Sequence, residues 1–386
     1  MFCAAAKPLL RKLSVQHVFR RMFRPVGIVG LPNVGKSTLF NALTKSELAE
    51  MANYPFCTIN PNKAVVSIPD PRLDKLASIC HSEKTVYDEM QFIDVAGLIK
   101  GAHNGEGLGN QFLSTIRQVS VILHVVRCFD NTDILHVNNK IDPINDIETI
   151  KMELQLADLS QLQKQREKLL TKVRSTANSP LKPTLQMIER CIDCINNDKS
   201  PSTIPWTKDE MPLFKSLQLL SAIPVVYILN TSNEEAAKGN HYTKEVAAYL
   251  NTPNYVVMSA ALEQESILFD DDMSQKEYLE QYGVKESALN RVVTACSQLL
   301  GLNTFYTVGT NEARAWHTEK GSTVQQAGGQ IHSDFVTKFI KAEVMHYNDY
   351  VELGGEENVK KAGKLYVEGP SYVCQNYDIL YYHIRK

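Results

Sequence analysis

A short apolar run from Pro25 to Val29 is followed by Gly30-Leu31-Pro32-Asn33-Val34-Gly35-Lys36-Ser37, and then by Leu39, Phe40 and Leu43 at helical spacing. This is G-x-x-x-x-G-K-[ST] set between a strand and a helix, the context in which that motif holds phosphate. Its glycines let successive backbone N–H groups turn inward around an anion, where a Cβ would intrude. The helix that starts near Lys36 aims the positive end of its dipole at the same point. Lys36 is expected to bridge β- and γ-phosphate oxygens, and Ser37 to give its hydroxyl oxygen to Mg²⁺. The backbone from Asn33 through Val34, Gly35, Lys36 and Ser37 to Thr38 is the expected nucleotide contact.

Such a loop needs a sheet behind it, and the sequence supplies one. Lys63 to Ile68 alternates like a strand, and Glu89 to Val95 is an apolar strand. Ser120 to Phe129 is a continuous apolar run of the kind covered on both faces, and Pro224 to Asn230 and Tyr255 to Ser259 are further strands. Strands alternating with helical stretches predict an α/β fold, a mostly parallel sheet with helices on both faces. Two parts stand outside it. Ile147 to Val173 reads as a long polar helix carrying Leu154, Leu156, Leu159, Leu162 and Leu169. After a break over 175–183, Thr184 to Asn196 is helical again, which predicts an inserted αα-hairpin, a coiled-coil arm. From about Asn303, short strands and glycine turns predict a small α+β domain. The expected domains are a P-loop G-domain over 25–145 and 200–285, the helical arm over 146–199, and a C-terminal domain over 303–386.

Asp94-Val95-Ala96-Gly97 closes the strand that ends at Ile93. Asp94 is expected to hold Mg²⁺ through a water, and the Gly97 N–H to sense the γ-phosphate. Thr58, between the first helix and the second strand, would complete the Mg²⁺ shell. The next residue is Leu98, where GTPases of the Ras kind place a water-orienting glutamine. Another group must then position the water. His136 and His103 are the candidates, since a neutral imidazole can orient or accept from water; K⁺ or a partner is the alternative. The glycine-rich stretch Gly101 to Asn110 is the predicted switch.

After the fourth main strand, where GTP-specific proteins carry N-K-x-D, this chain has Asn230-Thr231-Ser232-Asn233. The amide of Asn233 lacks the paired carboxylate oxygens that guanine asks for, so adenine becomes admissible. Asn230 is a candidate contact for the base N7 and the backbone at Thr231 for the exocyclic amine. Phe129 is either a stacking wall for the base or plain core.

Composition excludes little. Of 386 residues, 44% are hydrophobic and 22% charged, and a net charge of -2 gives no global pull toward nucleic acid or membrane. No run of about eighteen apolar residues is present. Eight scattered cysteines read as free thiols, with the Cys191/Cys194 pair read as helix packing. The exception is Met1 to Arg24. Here Lys7, Arg11, Lys12, Arg20, Arg21 and Arg24 interleave with apolar residues, and no acidic residue precedes Glu47. That pattern predicts a mitochondrial transit peptide over 1–24, a disordered basic tail being the alternative.

The runs Gly27 to Thr38, Asn53 to Thr58 and Asp94 to Asn110 resemble the Obg-like ATPase (YchF-type) family. Glu312 to Trp316 and Ile331 to Phe335 resemble that family's TGS domain, a β-grasp module. The resemblance covers about Pro25 to the C-terminus. It implies a G-domain, a coiled-coil arm and a TGS domain, with ATP preferred over GTP, slow hydrolysis and association with ribosomes. Asn230 to Asn233 departs by lacking the acidic residue that many members keep, and the basic leader is unlike that of cytosolic members. The expected function is a slow ATP hydrolase acting as a switch near ribosomal RNA or protein. A GTP-dependent ribosome-assembly factor of the Obg type and a nucleotide-holding scaffold without turnover are the alternatives.

Overall fold

The computed structural model describes residues 25–51, 62–95, 108–130, 141–174, 180–269 and 271–385. The leader 1–24 and the expected site residues Thr58, Gly97, His103 and His136 lie outside the described residues. In chain order the elements begin β1 (Val26–Val29), α1 (Lys36–Met51), β2 (Lys63–Ser67), α2 (Pro71–Cys80), β3 (Lys84–Val86), β4 (Glu89–Asp94), α3 (Leu108–Ile116) and β5 (Val121–Arg127). Next come α4 (Pro143–Arg174), α5 (Lys182–Asn196), α6 (Met211–Ser216), β6 (Val225–Asn230), α7 (His241–Leu250), β7 (Tyr255–Met258), α8 (Ala260–Ser266), α9 (Asp272–Gln281) and α10 (Ala288–Leu299). The last are β8 (Leu302–Val308), β9 (Glu312–Glu319), α11 (Val324–Gly328), α12 (Asp334–Thr337), β10 (Phe339–His346), α13 (Tyr347–Leu353), α14 (Glu356–Lys361), β11 (Tyr366–Glu368) and β12 (Asp378–Ile384).

The chain divides into two compact units, one of Arg24–Val66 with Gln91–Leu299, the other of Ser67–Met90 with Leu300–Lys386. The first is built on a six-stranded sheet in the order β2-β4-β1-β5-β6-β7. β1, β4, β5, β6 and β7 run parallel. All seven residues of β5 are buried, as a strand covered on both faces requires. Helix α3 begins at Leu108, inside the glycine-rich stretch expected to be loop, because Phe112 and Ile116 give it an apolar face that is buried.

The arm is a helical hairpin of α4 and α5. Helix α4 starts earlier than the expected boundary at 146. Its first turns belong to the sheet layer, where Ile144 and Ile147 pack with Val126, Cys128, Leu229 and Val246. Farther along, Leu162 packs with Met187, Ile188, Cys191 and Ile195 of α5 and with Leu217 and Leu219. Asp158, fully buried, locks the arm's base. Its carboxylate accepts from the Leu220 N–H (3.0 Å), the Ser221 N–H (2.8 Å) and the Ser221 hydroxyl (2.7 Å). Cys191 is core, with burial pushing its thiol up to about 12, while the Cys194 thiol donates to Ser200 O.

The second unit carries a six-stranded sheet in the order β11-β10-β12-β8-β9-β3. The hairpin β8–β9, helix α11, and β10 antiparallel to β12, with β12 parallel to β8, make the β-grasp arrangement. One finding departs from the expected boundaries. The stretch 67–90, expected within the G-domain over 25–145, lies elsewhere: β3 pairs with β9, and α2 buries Leu73 and Leu76 with Tyr306, Ala313, Met345 and Ile379. The apolar stripe of α2 finds its matching surface on this sheet, so the excursion packs there. Tyr306 also donates its hydroxyl to Asp70 (2.7 Å), which caps α2. In the first unit, helix α10 extends the expected G-domain past residue 285, burying Val292, Val293 and Cys296.

Candidate functional site

The cradle follows from backbone necessity at two glycines. A Cβ at Gly30 would sit 2.5 Å from the Val125 carbonyl oxygen and 2.9 Å from Val34 Cγ2. Gly35 has φ +101°, and a Cβ there would lie 2.3 Å from the Asn230 amide nitrogen. Helix α1 starts at Lys36, its first bond running from the Leu39 N–H to Gly35 O (3.0 Å). Val34 is buried beneath the loop and Ser37 is exposed at the helix start. Lys36 lies back across the loop, donating from Nζ to Leu31 O at 2.7 Å. Burial pulls its ammonium below the ordinary lysine range, against the opposing charge of Asp94. Asp94 ends β4 and faces Ile28 of β1. Burial raises its carboxyl above the usual range, with Lys36 opposing. The Ser37 hydroxyl and Asp94 carboxylate are hard oxygen donors of the type that suits Mg²⁺.

Asn230 is the last residue of β6 and is 5% exposed. Its Nδ2 donates to Val34 O (2.8 Å) and its Oδ1 accepts from the Ala260 N–H (2.9 Å). It therefore fastens the cradle to the start of α8 and keeps one N–H beyond those two bonds. Thr231 is buried, its N–H and hydroxyl both bonded to Met258 O (2.9 and 3.2 Å). Asn233 accepts from the Ser259 hydroxyl (2.6 Å) and donates to Glu265 (3.2 Å). Phe129 is half-buried, with the Arg127 guanidinium 4.7 Å from its ring centre. These residues gather at the carboxyl ends of the parallel strands, where α/β sheets hold their ligands.

Sequence reasoning missed Ser259, Ala260, Glu265 and His124. Ser259 had a signal: a serine between a strand and a helix is an N-cap, and its hydroxyl does accept from the Leu262 N–H. His124 lies hidden in the apolar run of β5, 3% exposed, with its ring 5.5 Å from that of Tyr227. Burial, then the charge of Lys36, lowers its imidazole to about 3, so it is neutral.

A strand–cradle–helix unit with an acid at the neighbouring strand end defines a P-loop nucleotide-binding protein. Comparison with known proteins narrows the class. A family model described as a 50S ribosome-binding GTPase matches residues 25–177, and the YchF GTPase C-terminal family model, described as a protein of unknown function, matches 302–385. The "Ribosome-binding ATPase YchF" of Haemophilus ducreyi is 44% identical over 92% of this chain and 98% of its own length. Its counterpart in Bacillus subtilis is 42% identical over 92% and 98%. The solved structure of the Schizosaccharomyces pombe YchF GTPase superposes with a TM-score of 0.84 at 34% identity, covering 94% of this chain and 98% of that one. The chain belongs to the YchF family.

Proposed function

We propose that this protein is a slow ATP hydrolase that works as a nucleotide-dependent switch on the ribosome. The observation that carries the reading is the phosphate cradle fastened by Asn230, in a chain that aligns nearly end to end with relatives named ribosome-binding ATPases. Lys36 leaves Leu31 O to bridge the β- and γ-phosphate oxygens, while backbone N–H groups from Asn33 to Thr38 surround them. Ser37 and Thr58, with Asp94 through a water, would hold Mg²⁺, which would supply positive charge against the phosphate oxygens. Gly97 senses the γ-phosphate, and Phe129, Asn230 and Thr231 border the base. His136, or failing it His103 or K⁺, orients the attacking water. With no glutamine at Leu98, turnover is slow until a partner completes the site.

The C-terminal unit serves as a TGS module toward ribosomal RNA or protein, and residues 1–24 direct the chain to mitochondria. Among the described residues no helix is long and apolar enough to cross a membrane. Turnover and affinity for ATP and GTP, with Lys36→Ala as control, test the activity. A preference of about tenfold or more for GTP overturns the reading in favour of a GTPase. Nucleotide-dependent co-sedimentation with ribosomes tests the partner. Fusing residues 1–30 to a fluorescent reporter tests the compartment, and a diffuse cytosolic signal refutes the leader.

A further inference from the structure

The base-reading segment lacks an acid of its own, but an acid stands beside it. Glu265, on α8, accepts at Oε2 from the Asn233 amide (3.2 Å) and from the Tyr278 hydroxyl of α9 (2.7 Å). A carboxylate only accepts, so the Asn233 nitrogen must face Glu265 and its oxygen must face the Ser259 hydroxyl. That orientation decides the chemistry on offer. The Asn233 oxygen is turned to the Ser259 hydroxyl at 2.6 Å and its nitrogen to Glu265, so the group it has beside Glu265 to offer a base is its second N–H. Next to it lies an acceptor, the Glu265 carboxylate, whose Oε1 bonds nothing else among the described residues.

We propose that Asn233 and Glu265 read the Watson–Crick edge of adenine, Glu265 supplying from α8 the acid that the Asn230–Asn233 segment lacks. Adenine presents an acceptor at N1 and a donor at the N6 amine. The Asn233 N–H meets the first and the Glu265 carboxylate the second. Guanine presents the reverse, a donor at N1 and an acceptor at O6, so each group would face its like. A mismatch of that kind discriminates more strongly than a difference in shape, because polar groups are left unpaired. Tyr278 holds the carboxylate in place through its hydroxyl.

The proposal rests on the ATP reading, and equilibrium binding of fluorescent ATP and GTP analogues separates the two. Wild-type protein that fails to prefer ATP overturns the ATP reading and this inference with it. Given a wild-type preference for ATP, Glu265→Gln is expected to weaken ATP binding about tenfold while sparing GTP. Asn233→Asp, which removes the donor and restores an acceptor, is expected to shift the ratio toward GTP. Glu265 is exposed, so the unliganded melting temperature should hardly move. Tyr278→Phe, which keeps the carboxylate but removes the hydroxyl that holds it, should lower the preference for ATP less than Glu265→Gln does. If neither Glu265→Gln nor Asn233→Asp changes the ATP-to-GTP affinity ratio, Glu265 only tethers α9, and the inference is wrong.

Discussion

Replacing Asn230 tests whether the cradle owes its shape to a side chain on another strand. The amide makes two bonds in a buried site, to Val34 O at 2.8 Å and from the Ala260 N–H at 2.9 Å. Asn230→Ala leaves both backbone groups without their partner, at about 1–3 kcal/mol each, so the local cost is about 4 kcal/mol. Part is recovered as the loop relaxes toward water. About 2 kcal/mol should remain in nucleotide affinity, a loss of about thirtyfold in Kd. Asn230→Asp is the sharper variant. It keeps an acceptor for Ala260 but turns a carboxylate toward the Val34 carbonyl, and should bind ATP worse than Asn230→Ala. Titration calorimetry gives the affinities, and hydrogen exchange at the Lys36 and Ala260 amides reports the local loosening. If Asn230→Asp binds ATP as tightly as wild type, the Val34 bond does not shape the cradle and the argument fails.

Stability should be acid-sensitive through His124. Its imidazole is held to about 3 in the fold against about 6.5 unfolded. The unfolded chain therefore takes up the extra proton between those values. Stability is fully present above pH 6.5 and is lost as pH falls toward 3, about 2 kcal/mol of it by pH 5. His124→Phe should flatten that acid limb in urea unfolding at pH 7.5 and 5.0, and an unchanged slope would exonerate the residue. Asp158→Ala strips three bonds from the turn at Leu220–Ser221, so the G-domain unit should lose about 3 kcal/mol and become open to proteolysis near that turn. Leu76→Ala in α2 should cost about 2–5 kcal/mol in the C-terminal unit while nucleotide binding persists. A loss confined to nucleotide binding would contradict the packing described for α2.

What the sequence made legible is what depends on neighbours along the chain. The strands β1 and β5 could be read because burial on both faces writes a continuous apolar run. The cradle could be read because its glycines, its lysine and its helix lie within a few residues of one another. The excursion 67–90 could not be placed. Asp70 and Pro71 announce the helix α2, and Leu73 and Leu76 give it an apolar side, but nothing local says that Tyr306 and Met345 are what that side meets. The bonds that hold the base-reading strip could not be read for the same reason. Asn230 reaches Val34, 196 positions away, and Asn233 reaches Glu265, 32 positions away. No spacing motif encodes either bond.

The short helix α8 explains how such distant pieces can act together. At its start, Ala260 holds Asn230, which holds the Val34 carbonyl of the cradle. One turn later Glu263, 2% exposed, accepts from the Ala288 N–H (2.7 Å) and the Ser287 hydroxyl (2.6 Å) and so caps α10. Burial raises the Glu263 carboxyl even though those bonds pull it the other way. Its hold on α10 is thus made deep in low dielectric, where a lost partner costs most. On the same helix Glu265 fixes Asn233. Helix α8 therefore ties cradle, base strip and α10 into one hydrogen-bonded piece, and α10 ends at Leu299, where the chain leaves this unit. A ligand that orders the cradle should order α8 with it, because the Asn230 amide joins the Val34 carbonyl to the Ala260 N–H.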